Sequence, residues 1–463
     1  MKTLTVQDIL GPLKGTLVRG SRTEPIRDAV EHPSQIRRRN TLVFDRYDKY
    51  LLPRAWRMFP RGVIVTDTPP MFLGNDCRWT IIYVKDMEQA FWDFVEYYRG
   101  LWDIPVIGVT GTCGKTTVKE MVSYILSESM RTQSTYKTYN GLVYNLRYLI
   151  GIDERTDAAV MEMKVAVPGD LLHTCRVFKP QIGIFTNIGT DHLEHCGTME
   201  NYIREKARLI DGLDPRGVLI LNWDDANIRN LDTSSFQGKI LTYGKGEGVD
   251  YRITQISYRN EGMRFTFSSN GRSYEASTHG YGEHTVYNAV AALIACEAVG
   301  VDLQTAIRRL ASYRQLEAHL QTRVGINGCL LLDDTWSSNP TSAEAALKVL
   351  HELAQGKQTV AIMGRIGMLG EHTDEQHQML GDKVVENQVD ALITIDPTAD
   401  LIGKRAIELG MDPRRVFSCH SPHQVYGRFR QLVDKDAVVL LKTSMMDRVD
   451  QIKKLIIKEG DRP

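Results

Sequence analysis

One ten-residue segment constrains this chain more than any other: Gly108-Val109-Thr110-Gly111-Thr112-Cys113-Gly114-Lys115-Thr116-Thr117. It joins an apolar run, Ile104–Val109, to a stretch of helical periodicity from Thr117 to Ser129. A buried strand, a glycine turn and a helix start, in that order and ending in Gly-Lys-Thr, read as a phosphate-binding loop. Gly108 to Gly114 is one residue longer than the common Gly-x4-Gly spacing. Glycines let successive backbone amides turn toward phosphate oxygens, the helix N-terminus adds partial positive charge, and Lys115 adds a full one. Thr116 supplies the hydroxyl that a phosphate-bound Mg²⁺ takes as a ligand. Binding of a nucleoside triphosphate follows from the motif; hydrolysis, transfer and sensing remain open at this point.

Strands and helices alternate on both sides of an intervening ribbon, which predicts an α/β chain with mostly parallel sheets. Apolar runs at Ala158–Met163, Gln181–Thr186 and Gly217–Leu221 follow the loop; runs at Cys329–Leu332, Thr359–Met363, Ala391–Ile395 and Ala437–Leu441 form a second set. Between them, 251–277 reads as an antiparallel edge ribbon, followed by helices near His284–Val299 and Leu303–Tyr313. The length of 463 residues accommodates about three domains. The expected division is a small mixed N-terminal substrate-binding domain (1–103), a central ATP-binding domain (104–316) and a C-terminal Rossmann-like domain (317–463).

Charge narrows the partners. Lys+Arg and Asp+Glu both number 57, so no basic surplus calls for nucleic acid or an anionic membrane. No stretch has the apolar length of a membrane span, and the first residues lack a signal peptide's apolar core. Seven scattered cysteines without a Cys-x-x-Cys pair argue against a disulfide framework or a structural zinc site. A cytoplasmic protein acting on small molecules is the expectation, with the oligomeric state left open.

The loop, together with four other segments, resembles the Mur ligase family, the ATP-dependent amide ligases of peptidoglycan precursor synthesis. Those segments are Thr186-Asn187-Ile188-Gly189-Thr190-Asp191-His192-Leu193, Lys206 at its downstream spacing, Gly282-Glu283-His284-Thr285-Val286-Tyr287-Asn288-Ala289, and Asp333-Asp334-Thr335-Trp336-Ser337-Ser338-Asn339-Pro340. Tyr98-Arg99 and Lys119-Glu120 follow the branch that adds D-alanyl-D-alanine to a UDP-linked muramoyl tripeptide. The resemblance implies an acyl phosphate made from a carboxylate and ATP, then displaced by an amino acid or dipeptide amine. It implies ATP contacts from Gly111, Thr112, Cys113, Gly114, Lys115, Thr116 and Thr117, with Asn288 at the adenine edge, His319 beside the nucleotide and Asp334 on the ribose. Two Mg²⁺ ions are implied, one held by Thr116 and one by Glu162 and His192 with Lys206 carrying an N6-carboxyl group. Lys115, Glu162, His192 and Lys206 are then the catalytic set.

This sequence departs from the branch at several substrate-facing positions. Gly20-Ser21-Arg22 lacks the preceding Asp, His319 stands for an Arg, Arg365 and Met368 for an Asp and a Glu, and Lys442-Thr443-Ser444-Met445 for Lys-Gly-Ser-Arg. These departures lead to the expectation of a changed carboxylate or amine. The alternatives are the branch's own muramoyl-tripeptide reaction and a nucleotide-binding scaffold that no longer ligates.

Overall fold

A computed structural model of the chain describes residues 1–44, 58–68, 79–444, 447 and 449–461. The architecture is α/β in three domains, each built on its own sheet.

The central sheet has nine strands. The strand that leads into the phosphate loop, Val106–Thr110, pairs in parallel with Ala158–Glu162 on one side and Ile182–Phe185 on the other. Val218–Asn222 and Lys239–Gly244 extend the parallel array beyond Ile182–Phe185, and Thr132–Ser134 closes the opposite edge. Every residue of Val106–Thr110 is buried, as expected of a parallel strand covered on both faces. The chain leaves that strand toward one side of the sheet and later returns to the other. Crevices for ligands open at such a reversal, outside the carboxyl ends of the strands. The ribbon predicted at 251–277 is three antiparallel strands, Tyr251–Arg259, Gly262–Ser269 and Arg272–His279, at the sheet's edge.

The C-terminal sheet runs Gln321–Val324, Leu330–Asp334, Val438–Lys442, Thr359–Met363, Ala391–Thr394, Val416–Ser418, parallel except for its first pair. The N-terminal sheet orders Thr16–Arg19, Thr80–Tyr83, Val63–Thr66, Thr41–Phe44 and Asp28–Val30, antiparallel at its first pair only. The helix Met87–Gly100 lays Phe91 and Phe94 against Phe44. It then sends the buried Arg99 guanidinium to the carbonyls of Phe178 (2.7 Å) and Trp102 (2.6 Å). Tyr98 likewise donates its hydroxyl to the Ile152 carbonyl at 2.8 Å. The Tyr98-Arg99 pair quoted above thus fastens the N-terminal domain to the central one.

His377 gives the fold a pH dependence. Fully buried, it bonds the Thr373 carbonyl through Nδ1 at 2.6 Å and receives the Ile366 amide on Nε2 at 3.1 Å. Both bonds are satisfied only by the neutral ring, and burial pushes its pKa below 6.5. A group with a depressed histidine pKa leaves the unfolded chain binding more protons, so stability falls as pH drops below about 6.5. His284 and His319, also pushed down by burial, act in the same direction. Urea titrations from pH 7.5 to 5.5 should show a falling midpoint, and His377→Gln should reduce the slope; a flat profile would contradict this reading.

Candidate active site

The carboxyl ends of the central and C-terminal sheets face one cavity of about 970 Å³. The phosphate loop forms its floor. Gly111 has φ +146°, and a Cβ there would lie 1.9 Å from Thr186 Oγ1. Gly114, at φ +80°, caps the helix Lys115–Ser127, and a Cβ on it would strike Asn288 Oδ1 at 2.4 Å. Glycine is required at both positions by conformation and by space. The positive φ at Gly114 also explains why the helix begins at Lys115, two residues before the periodicity suggests.

Two amides of this loop are bonded within the protein. The Thr112 amide is bonded to the Asn187 carbonyl (2.8 Å) and the Cys113 amide to Asn187 Oδ1 (2.9 Å). Thr186 Oγ1 donates to the Cys113 carbonyl at 2.6 Å. These bonds stiffen the loop, whose residues Thr112 to Thr117 all line the cavity. The amides of the helix's first turn, which have no carbonyl one turn back, remain to meet an anion. Lys115 arches over them, its Nζ on the Thr112 carbonyl at 2.8 Å.

Glu162 ends the neighbouring strand and is nearly buried. Its Oε2 accepts from Thr116 Oγ1 at 2.8 Å, and its Oε1 from Asn140 Nδ2 at 2.7 Å. Its own amide donates to Thr135 Oγ1 at 3.0 Å. His192 follows the strand on the other side, with left-handed backbone at φ +52°. Its Nδ1 is buried and has no hydrogen-bond partner among the described residues. Burial lowers its pKa, with Lys115 and Lys206 adding to the effect against Asp191, which favours the neutral ring. Thr116, Glu162 and His192 all line the cavity.

Lys206 lies on the helix Met199–Gly212 and is 1% exposed. Its Nζ donates to the Gly111 carbonyl at 2.7 Å and sits 4.6 Å above the Tyr202 ring. Burial, followed by the nearby charge of Lys115, holds its ammonium well below the usual lysine range. Of its neighbours along the chain, His195 is exposed and Cys196 is packed in the core.

The C-terminal domain supplies the opposite wall. Asp334 pairs with Lys442 (2.7 Å) and receives the Leu320 amide (3.2 Å). His319 stacks on Trp336 with ring centroids 5.8 Å apart. Asn339, the N-cap of Pro340–Ala354, accepts the Cys113 thiol at 3.2 Å and donates to Asp191 at 3.3 Å. That side chain ties the C-terminal domain to the phosphate loop and to the residue before His192. Arg365 is paired with Asp447 at 3.5 Å, while Met368 is exposed and its carbonyl receives the Glu194 amide at 3.2 Å. Met445 lies outside the described residues. Sequence reasoning passed over Asn140, Thr135 and Trp336. Nothing in the sequence marks Asn140, whereas Trp336 stood inside a quoted motif and could have been found there.

Comparison with known proteins places this geometry. Residues 109–296 match the Mur ligase middle domain, and residues 320–445 match the Mur ligase glutamate ligase domain. A UDP-N-acetylmuramoyl-tripeptide–D-alanyl-D-alanine ligase of Bacillus subtilis is 25% identical over 378 residues, 82% of this chain and 81% of that protein. The enzyme of the same name from Synechocystis is 29% identical over 74% and 73%. In fold, the chain is similar to MurF of Acinetobacter baumannii, with a TM-score of 0.85 at 22% identity over 98% of both chains. The ADP complex of the Thermotoga maritima MurF ligase gives 0.77 at 22% identity over 93% and 96%. Among the described residues no helix is long and apolar enough to cross a membrane. The chain belongs to the Mur ligase family, whose members are ATP- and Mg²⁺-using, ADP-forming ligases.

Proposed function

We propose that the chain joins D-alanyl-D-alanine to the peptide carboxylate of a UDP-linked muramoyl tripeptide, the reaction named for its relatives, with 1–103, 104–316 and 317–463 as its domains. The observation that carries this reading is the convergence of the phosphate loop, Glu162 and His192 on one cavity faced by Asp334.

A carboxylate approaching a triphosphate meets strong repulsion, and fixed cations are the physical remedy. Lys115 and the first amides of its helix hold the phosphates. A carboxylate oxygen attacks the γ-phosphorus, the bond to ADP breaks, and an acyl phosphate results. The amine nitrogen then attacks the acyl carbon; phosphate leaves, and the amine gives up its proton. We assign Asn288, which lies against Gly114, to the adenine edge and Asp334 to the ribose.

The residues fit Mg²⁺. Thr116 and Glu162 offer the hard oxygen donors it prefers, and the orphaned His192 Nδ1 is the kind of buried nitrogen that a metal satisfies. When bound, Mg²⁺ supplies neutralisation of the phosphate charge. We assign two sites, Thr116 to one and Glu162, His192 and an N6-carboxylated Lys206 to the other. The uncharged amine that burial favours at Lys206 is the form that adds to CO₂.

A second reading, a changed acceptor, is favoured by Arg365 and by N-terminal arginines already engaged. Arg22 bonds Gln7 at 2.8 Å, and Arg38 bonds Asp28 at 2.9 Å. ADP release with UDP-N-acetylmuramoyl-tripeptide and D-alanyl-D-alanine separates the two. Turnover at micromolar acceptor supports the relatives' reaction, whereas turnover only with other carboxylates overturns it.

A further inference from the structure

Among the described residues, five lysine or arginine side chains line the cavity, and four of them are engaged. Lys115 bonds the Thr112 carbonyl, and Lys442 the Asp334 carboxylate and the Ser337 carbonyl. Lys348 pairs with Glu283 at 3.6 Å, and Arg365 with Asp447 at 3.5 Å. Lys164, half-buried, has no hydrogen-bond or ion-pair partner among the described residues. Strand geometry puts it there. The ladder of Ala158–Glu162 runs one residue further, where the Met163 amide donates to the Val109 carbonyl at 2.8 Å. Side chains alternate along an extended chain. Glu162 lines the cavity; Met163 is buried, its sulfur 2.7 Å from where a Cβ on Gly108 would stand; Lys164 lines the cavity again. Its charge is also felt at His192, where it adds to the lowering that burial begins. An ammonium without a partner therefore borders the Glu162 and His192 end of the cavity.

Charge identifies which substrate it serves. Lys115 and the first turn of its helix already meet the triphosphate, and an ammonium-bearing amine is repelled by a second ammonium. The carboxylate remains. It must enter a region where Glu162 and Asp191 are both negative, and a compact charge on a long flexible stem can reach out to it and offset that repulsion. We propose that Lys164 captures and positions the reacting carboxylate of the acceptor. This rests on the ligase reading above.

The test is calorimetry on the full chain with two probes: UDP-N-acetylmuramoyl-tripeptide, and the same compound with its reacting carboxylate converted to the amide. The wild type should prefer the acid by about tenfold. Lys164→Met should bind both alike, while Lys164→Arg should keep most of the preference. In turnover, Lys164→Met should raise KM for the tripeptide about tenfold and leave KM for ATP within about twofold. Equal binding of the two probes by the wild type, a preference for the acid that Lys164→Met retains, or a KM rise confined to ATP or the amine overturns this inference alone. A wild type that binds neither probe overturns it together with the ligase reading.

Discussion

Lys115→Ala is expected to lower kcat/KM for ADP release by about 10²- to 10³-fold while the protein stays folded. The ammonium is the fixed full positive charge on the loop itself, and it donates to the Thr112 carbonyl at 2.8 Å. Losing that bond costs about 1 kcal/mol of stability, a small part of the total for a chain of this size. Removing a preorganised cation from charge that develops in a transition state costs about 3–4 kcal/mol, which is the hundredfold to thousandfold loss. Near-normal turnover with an unchanged melting temperature would remove this loop from the chemistry. A collapsed melting temperature would instead show that Lys115 holds the fold.

The second large effect concerns Lys206. Its side chain fills buried space and satisfies the Gly111 carbonyl, so alanine there leaves both a cavity and an unpaired acceptor, each destabilising. Lys206→Met also leaves the Gly111 carbonyl unpaired but fills the volume, so it separates the loss of the amine from the cavity. The Met variant is expected to fold and to be inactive by about a thousandfold or more. In Lys206→Ala, acetate should restore part of the turnover by replacing the missing carboxylate. A Met variant with wild-type turnover, or an Ala variant that acetate leaves unmoved while it remains folded, would reduce Lys206 to a prop for the loop.

Much of the central sheet was legible because its inner strands are continuous apolar runs between turns. Ala158–Glu162, Ile182–Phe185 and Val218–Asn222 lie within a residue of their expected places. Lys239–Gly244 was not legible: its Lys and Thr interrupt the apolar signal, and only parallel pairing with Val218–Asn222 makes it a strand. Gln321–Val324 and Val416–Ser418 are short sheet edges with half-exposed faces, where burial writes no clear pattern. At the site, Thr116 and Glu162 were readable because strand ends and helix starts gather at a sheet's reversal. The grip of Asn140 on Glu162 and of Asn339 on Cys113 spans 22 and 226 residues. No local pattern encodes such contacts. The same holds for the bonds from the amides of Thr112 and Cys113 to Asn187.

The central claim is that ATP is spent on activating a carboxylate. It is tested most directly with UDP-N-acetylmuramoyl-tripeptide labelled with ¹⁸O in its reacting carboxylate, by mass spectrometry of the phosphate released with ATP, Mg²⁺ and D-alanyl-D-alanine. The account predicts one ¹⁸O atom carried into each phosphate and an amide product formed in equal amount. Phosphate free of ¹⁸O, released whether or not the amine is present, would make the protein a nucleotide hydrolase and contradict it.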